Sequence, residues 1–123
     1  MDTYSPKKAP DPEVWLELDE QERIALIEDY HEAKGIDLPN ITLHAAIHAI
    51  VENQLAEGIE EVVETMQRLR KDGLTRHDCL HAIGAVLTEH MHHLMSGGAT
   101  GDDPNAAYHS ALRKLTAESW RNM

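Results

Sequence analysis

Along most of this 123-residue chain the apolar residues recur at intervals of three and four, and nowhere do they alternate one by one. That period places them on one face of a helix, and no segment has the two-residue alternation of a half-buried strand. Asp11-Pro12 has the form of a helix start, with Asp as cap and Pro at the first helical position. Trp15, Leu16, Leu18, Ile24, Leu26 and Ile27 then supply an apolar stripe up to Gly35, and Asp19 offers a second cap, so one helix or two can fill this stretch. After a loop at Leu38-Pro39-Asn40, a helix over 41–57 carries Leu43, Ile47, Ile50, Val51 and Leu55 inward. Gly58 separates it from a helix over 59–72, with Ile59, Val62, Val63, Met66 and Leu69 inward and Arg68, Arg70 and Lys71 at the end where cations favour the helix dipole. Gly73 closes that helix. Thr75 with Asp78 resembles a capping box and opens a helix over 76–95, stopped at Ser96-Gly97-Gly98. Ala99 to Asp102 reads as a flexible loop, and Asp103-Pro104 starts a last helix containing Tyr108, Leu112, Leu115 and Trp120. The expectation is an all-α protein, an up-and-down helical bundle of four to five helices. Residues 1–10 are expected as a flexible N-terminal arm and 11–123 as a single helical domain. Phe is absent and aromatics are 4%, so Leu, Ile, Val, Ala and Met must fill the core, with Met66, Met91 and Met95 as filler.

Charge narrows the function. There are 22 Asp and Glu against 11 Lys and Arg, a formal charge of −11, and nine histidines whose protonation would bring that charge to −2. The histidines therefore dominate titration near neutrality. So acidic a chain is poorly suited to neutralising nucleic-acid phosphates or to an anionic membrane surface, but it favours a bound cation. The single cysteine, Cys79, excludes an internal disulfide and any zinc site built on several thiolates. No basic start followed by an apolar run marks a signal peptide, and no apolar stretch is long enough to span a bilayer, so cytoplasmic residence is expected.

The histidines are not scattered. His44, His48 and Glu52 are spaced four apart on one stripe of the 41–57 helix, and His77 and His81 form a second pair on the 76–95 helix. Imidazoles one turn apart can hold one metal ion, and a carboxylate a further turn on can be another ligand or can orient an imidazole. Short loops predict helices running up, down, up and down. The helices over 41–57 and 76–95 would then be parallel, with both pairs at one level. The end of the first long helix, with Glu28 and His31, reaches that level too. Five histidines from three helices are thus expected in one layer, while Glu89 and His92 lie about 18 Å away along their helix. Glu28/His31 and Glu89/His92 share the Glu-x-x-His spacing of di-iron bundles, but at opposite ends of the bundle. Cys79 falls on the far side of its helix from the histidine pair. Gly84 and Ala85 are small enough to admit another helix. Asn53-Gln54 suits either support of the site or a buried polar pair between helices. Glu57, Glu60, Glu61 and Glu64 read as a solvated face, and His90, His92, His93 and His109 as surface or boundary residues.

The segments Leu43-His44-Ala45-Ala46-Ile47-His48-Ala49-Ile50-Val51-Glu52-Asn53-Gln54 and Gly73-Leu74-Thr75-Arg76-His77-Asp78-Cys79-Leu80-His81-Ala82-Ile83-Gly84 carry a resemblance over about residues 13 to 95. They resemble an uncharacterised family of small bacterial helical proteins of unknown function with a histidine-and-ENQ signature. The resemblance implies that these positions belong together and implies no reaction. A second resemblance is to hemerythrin-type oxygen-binding bundles, read through His31, His48/Glu52, His77/His81 and His109. An additional helix intervenes, and Lys114 stands where that pattern has a carboxylate.

These readings converge on a helical protein that binds a divalent transition metal (Zn, Fe, Ni or Cu) through His44, His48, His77 and His81. Glu52 and His31 are expected as further ligands or as groups that orient the imidazoles. The alternatives are a metal-free helical interaction module, expected as a homodimer, and a hemerythrin-like di-iron bundle.

Overall fold

The structure, a computed structural model, describes residues 1–36, 39–97 and 103–122. The expected loop residue Leu38, the stop at Gly98 and the loop from Ala99 to Asp102 lie outside the described residues. The described chain is all-α: α1 (Pro12–Glu17), α2 (Glu20–Ala33), α3 (Ile41–Ala56), α4 (Glu60–Lys71), α5 (Arg76–Met95), α6 (Ala106–Lys114) and α7 (Ala117–Arg121). No strand occurs among the described residues, and no helix there is long and apolar enough to cross a membrane.

The helix starts follow from side chains that satisfy otherwise unpaired amides, each worth about 1 kcal/mol. Asp11 accepts from the Glu13 and Val14 amides, Asn40 from Leu43, and Thr75 from Asp78. Asp19 caps α2 and shares a capping box with Glu22, which divides the first apolar stretch into two helices. The stretch after Pro104 is divided as well. Leu115 is extended and buried, and Thr116 with Ser119 caps α7. Arg68 holds this break open by donating from Nη2 to the carbonyls of Leu112 at 2.9 Å and Leu115 at 2.6 Å. Where four to five helices are expected, the described residues form seven, because two stretches break at internal caps.

α3 is the centre of the packing, and it touches α1, α2, α4 and α5. Ala45 and Ala49 face a smaller apolar cluster with Tyr4, Trp15 and Ile27, while Val51 belongs to the larger one formed with α4, α5, α6 and α7. A helix covered on both sides has little solvent face left, so its polar side chains are buried too. His48 is 2% exposed and Glu52 1% exposed.

The register of α3 against α5 corrects the parallel arrangement expected from short loops. Glu52 meets Arg76, His48 lies beside both His77 and His81, and Ile47 faces Gly84, so the numbers fall along α3 as they rise along α5. The two helices are antiparallel. The chain leaves α3 and enters α5 at the same end of the pair, and α4, only 12 residues long, carries it across rather than back along α3. Gly58 (φ 72°) and Gly73 (φ 97°) make the turns on either side of α4 in a backbone region that disfavours any side chain.

Two further expectations are corrected. Residues 1–10 form no helix, but they are not a free arm: Tyr4 and Pro6 are buried, because the tyrosine ring and hydroxyl both find partners on the helices. Leu43 is 55% exposed and Met95 is fully out of the core, because the inward faces of α3 and α5 are rotated away from both.

A Cβ added at Gly84 would lie 3.0 Å from Ile47 Cγ2, so this glycine sets how closely α3 and α5 approach. Gly84→Leu is expected to overpack the contact and lower the unfolding free energy by about 1–3 kcal/mol, with helicity retained. Urea unfolding followed by circular dichroism measures it, and an unchanged midpoint would contradict the register.

Candidate metal centre

Three helices bring five imidazoles together. His31 comes from the last turn of α2, His44 and His48 from the first half of α3, and His77 and His81 from the first two turns of α5. Ring centroids are 4.6 Å apart for His44–His48, 4.3 Å for His77–His81, 5.2 Å for His44–His81 and 5.0 Å for His48–His81. His31 lies 4.8 Å from His44 and 5.4 Å from His48. Among the described residues the donor atoms divide into two triples, His31/His48/His77 and His44/His48/His81, each with its atoms within 4.8 Å of one another. The tetrad His44, His48, His77 and His81 expected from the sequence is therefore distributed over both triples, and His48 is common to them.

The ring nitrogens themselves are short of protein partners. His31 Nδ1 lies 2.7 Å from the Ile27 carbonyl oxygen, which can only accept, so Nδ1 carries the proton and Nε2 presents a lone pair. That Nε2, the Nε2 atoms of His77 and His81, and both nitrogens of His48 are buried without a hydrogen bond. Each such group left unpaired costs about 1–3 kcal/mol. A divalent ion with imidazole ligands at about 2.0–2.1 Å would satisfy them, and no carboxylate belongs to either triple. The donor set thus fits a borderline transition ion better than magnesium or calcium, which take oxygen.

Burial and mutual repulsion disfavour the charged form of His44, His48, His77 and His81. His48 is pushed down to about 2 by burial, with His44, His81, His31 and His77 adding to the effect. His81 is lowered to about 4 by burial and then by His77 and His44, against a weaker opposing pull from Asp78. His44 and His77 are lowered for the same first reason, burial, with His31 next. Neutral imidazole is the form that binds metal, so no bound proton competes at neutral pH.

Glu52, expected beside the histidines, is engaged elsewhere. Arg76 donates to it twice, from Nη1 to Oε2 at 2.9 Å and from Nη2 to Oε1 at 2.7 Å, and the Tyr4 hydroxyl donates to Oε2. Arg76 Nη1 also donates to the Pro6 carbonyl at 3.0 Å. With both oxygens taken, Glu52 belongs to neither triple. Its neighbours in sequence diverge as successive residues on a helix must. Asn53 Oδ1 accepts from Trp15 Nε1 at 2.9 Å and Arg23 Nη1 at 3.0 Å, while Gln54 Oε1 accepts from the Tyr108 hydroxyl at 2.8 Å. His109 sits on α6 with Nδ1 3.6 Å from Glu61, outside both triples, so the hemerythrin-type ligand order is not assembled. Cys79 is buried in the larger core.

Sequence reasoning missed Tyr4, Arg76 and Tyr30. The Tyr30 ring packs edge-on against His31 and His77 at 5.5 and 6.1 Å. A basic residue directly before the second histidine pair was the one signal that could have identified Arg76 as the partner of Glu52. On the other side of the cluster a cleft of about 380 Å³ opens between α3 and α5, reaching His44, His48 and His81 through walls that include Leu43, Ile47, Leu80 and Trp120. Comparison with protein-family models, with curated proteins and with solved structures finds no match to this chain.

Two predictions follow the electrostatics. A histidine whose pKa is depressed in the folded state binds fewer protons there than in the unfolded chain, so acid favours unfolding. Stability of the metal-stripped protein should be full above about pH 6.5 and fall toward pH 4, where His81 protonates. The slope is up to about 1.4 kcal/mol per pH unit for each such histidine. A flat thermal midpoint between pH 7 and 5 would contradict this. Arg76→Met leaves Glu52 as an uncompensated buried charge and should cost about 3–5 kcal/mol, whereas Arg76→Met with Glu52→Gln should recover much of it. Equal losses in both variants, measured by urea unfolding, would show that the charge is not the cause.

Proposed function

We propose that this protein binds a divalent transition metal at the cluster of His31, His44, His48, His77 and His81. The observation that carries the reading is the set of buried imidazole nitrogens, drawn from three helices, that face one another with no hydrogen-bond partner. Hydrophobic packing alone gives no reason to bury such nitrogens on four neighbouring rings, those of His31, His48, His77 and His81, because each disfavours the interior unless something takes its lone pair. Zinc, iron, nickel and copper all suit imidazole ligands. The acidic chain, at −11, adds a favourable field for a cation.

The two sides of the cluster differ in access. His31 and His77 pack under Tyr30, whereas His44, His48 and His81 border the apolar cleft. Three protein ligands and one face open to a cleft is the arrangement in which an ion can activate water or take a substrate atom, while a fourth protein ligand would leave a structural ion. The cleft side is therefore where any chemistry of this protein belongs.

The test is metal binding by protein purified without a histidine tag, stripped with chelator and titrated with Zn(II). His48→Ala and His81→Ala should each weaken binding at least tenfold. No binding of Zn(II), and none of Fe(II) offered separately, would overturn the proposal, as would unchanged affinity in both variants.

A further inference from the structure

We infer that the cluster holds two metal ions rather than one, with the imidazole ring of His48 bridging them. The inference rests on the metal-binding reading and adds to it the number of ions and the role of one ring.

Five imidazoles around a single ion would bring all their donors within mutual reach, yet the donors form two triples that share His48 alone. One triple pairs His48 with His31 and His77, the other with His44 and His81. Each flanking pair spans two helices, α2 with α5 in the first and α3 with α5 in the second. His48 sits between them, its ring 5.4 Å from His31 and 5.5 Å from His77 on one side, and 4.6 Å from His44 and 5.0 Å from His81 on the other.

The second observation is the state of the His48 ring. It is 2% exposed, and neither Nδ1 nor Nε2 makes a hydrogen bond. The two nitrogen lone-pair directions of an imidazole diverge in the ring plane, so a single ion can take only one of them. The other nitrogen would remain a buried N–H without an acceptor. His31 shows the contrast, because its second nitrogen is already committed to the Ile27 carbonyl and it can serve only one ion. His48 has no such commitment. When a second divalent ion binds, its ring loses the remaining N–H proton to solvent and both nitrogens become ligands. The bridging imidazolate carries one negative charge between two dications, and no redox step is involved. The centre is then unsymmetrical: the His31/His77 ion lies beneath Tyr30, and the His44/His81 ion faces the cleft.

The experiment is a titration of the stripped, tag-free full chain with Cu(II), read by native mass spectrometry and by electron paramagnetic resonance. Two ions per chain are expected, and the copper signal should grow with the first equivalent and largely vanish with the second, as the bridge couples the two spins. His31→Ala and His44→Ala should each leave one ion and an uncoupled signal, whereas His93→Gln, on the exposed end of α5, should leave the two-ion behaviour intact. One ion per chain, or two ions with additive signals, overturns the bridge and leaves metal binding standing. A second ion lost with His93→Gln rather than with His31→Ala overturns it as well, by placing that ion on the protein surface. No ion at all overturns both readings. The wild-type stoichiometry and coupling decide the matter even where a variant fails to fold.

Discussion

The buried ion pair between Glu52 and Arg76 is the interaction on which the arrangement of this protein turns. It joins the second half of α3 to the first residue of α5, and through Tyr4 and Pro6 it draws the N-terminal segment onto both. Removing two charges from water is expensive, and the pair is tolerable only because the hydrogen bonds around it are nearly complete. Glu52 receives three donors, and the Arg76 fork is divided between the carboxylate and a backbone carbonyl. Such a pair adds little net stability against an apolar substitute, but it strongly disfavours any register in which one charge is left alone. Here it selects the antiparallel alignment of α3 and α5.

The imidazole cluster is a consequence of that alignment. His48 precedes Glu52 by one turn and His77 follows Arg76 directly, so fixing the first pair of residues side by side brings the second pair into contact. The same pair takes both oxygens of Glu52, the carboxylate one turn beyond His48 on α3, away from the histidines. What remains is a group of rings in which burial disfavours the charged form of His44, His48, His77 and His81, with only Asp78 among the causes opposing it at His77 and His81. Close approach at Gly84 completes the contact, since a larger residue would hold α5 away from Ile47 and widen the distance between the histidine pairs.

The run Glu52-Asn53-Gln54 shows why α3 holds the centre. Consecutive residues on a helix point about 100° apart, so three in succession fan out over about 200°, more than half of its circumference. One reaches Arg76 on α5, one reaches Trp15 and Arg23 around α1 and α2, and one reaches Tyr108 on α6. A helix that touches neighbours on so many sides can use polar residues in series as locating pins, provided each finds its partner. Asn53 and Gln54 both join α3 to other helices, but to different ones, because adjacency in sequence becomes divergence on a helix.

Local signals decided local structure. Asp11-Pro12, Asp19, Asn40, Thr75 and the glycines at 58 and 73 act within one turn of their own positions, so helix type and most boundaries were legible from the sequence, as was the common stripe of His44 with His48 and of His77 with His81. Membership of five histidines in one neighbourhood was also legible, but the route to it was not. Short loops argue for parallel α3 and α5, and that argument fails because a 12-residue helix can cross the end of a pair as readily as it can run back along it. Whether Glu52 faces a histidine or an arginine, whether Tyr4 hangs free or is buried, and how the five rings divide into two triples all depend on side chains distant in sequence meeting in a buried space. Burial raises the penalty for an unpaired charge or donor far above any local preference. The tertiary structure alone therefore decided the partners, while the sequence by itself determined the helices on which they are carried.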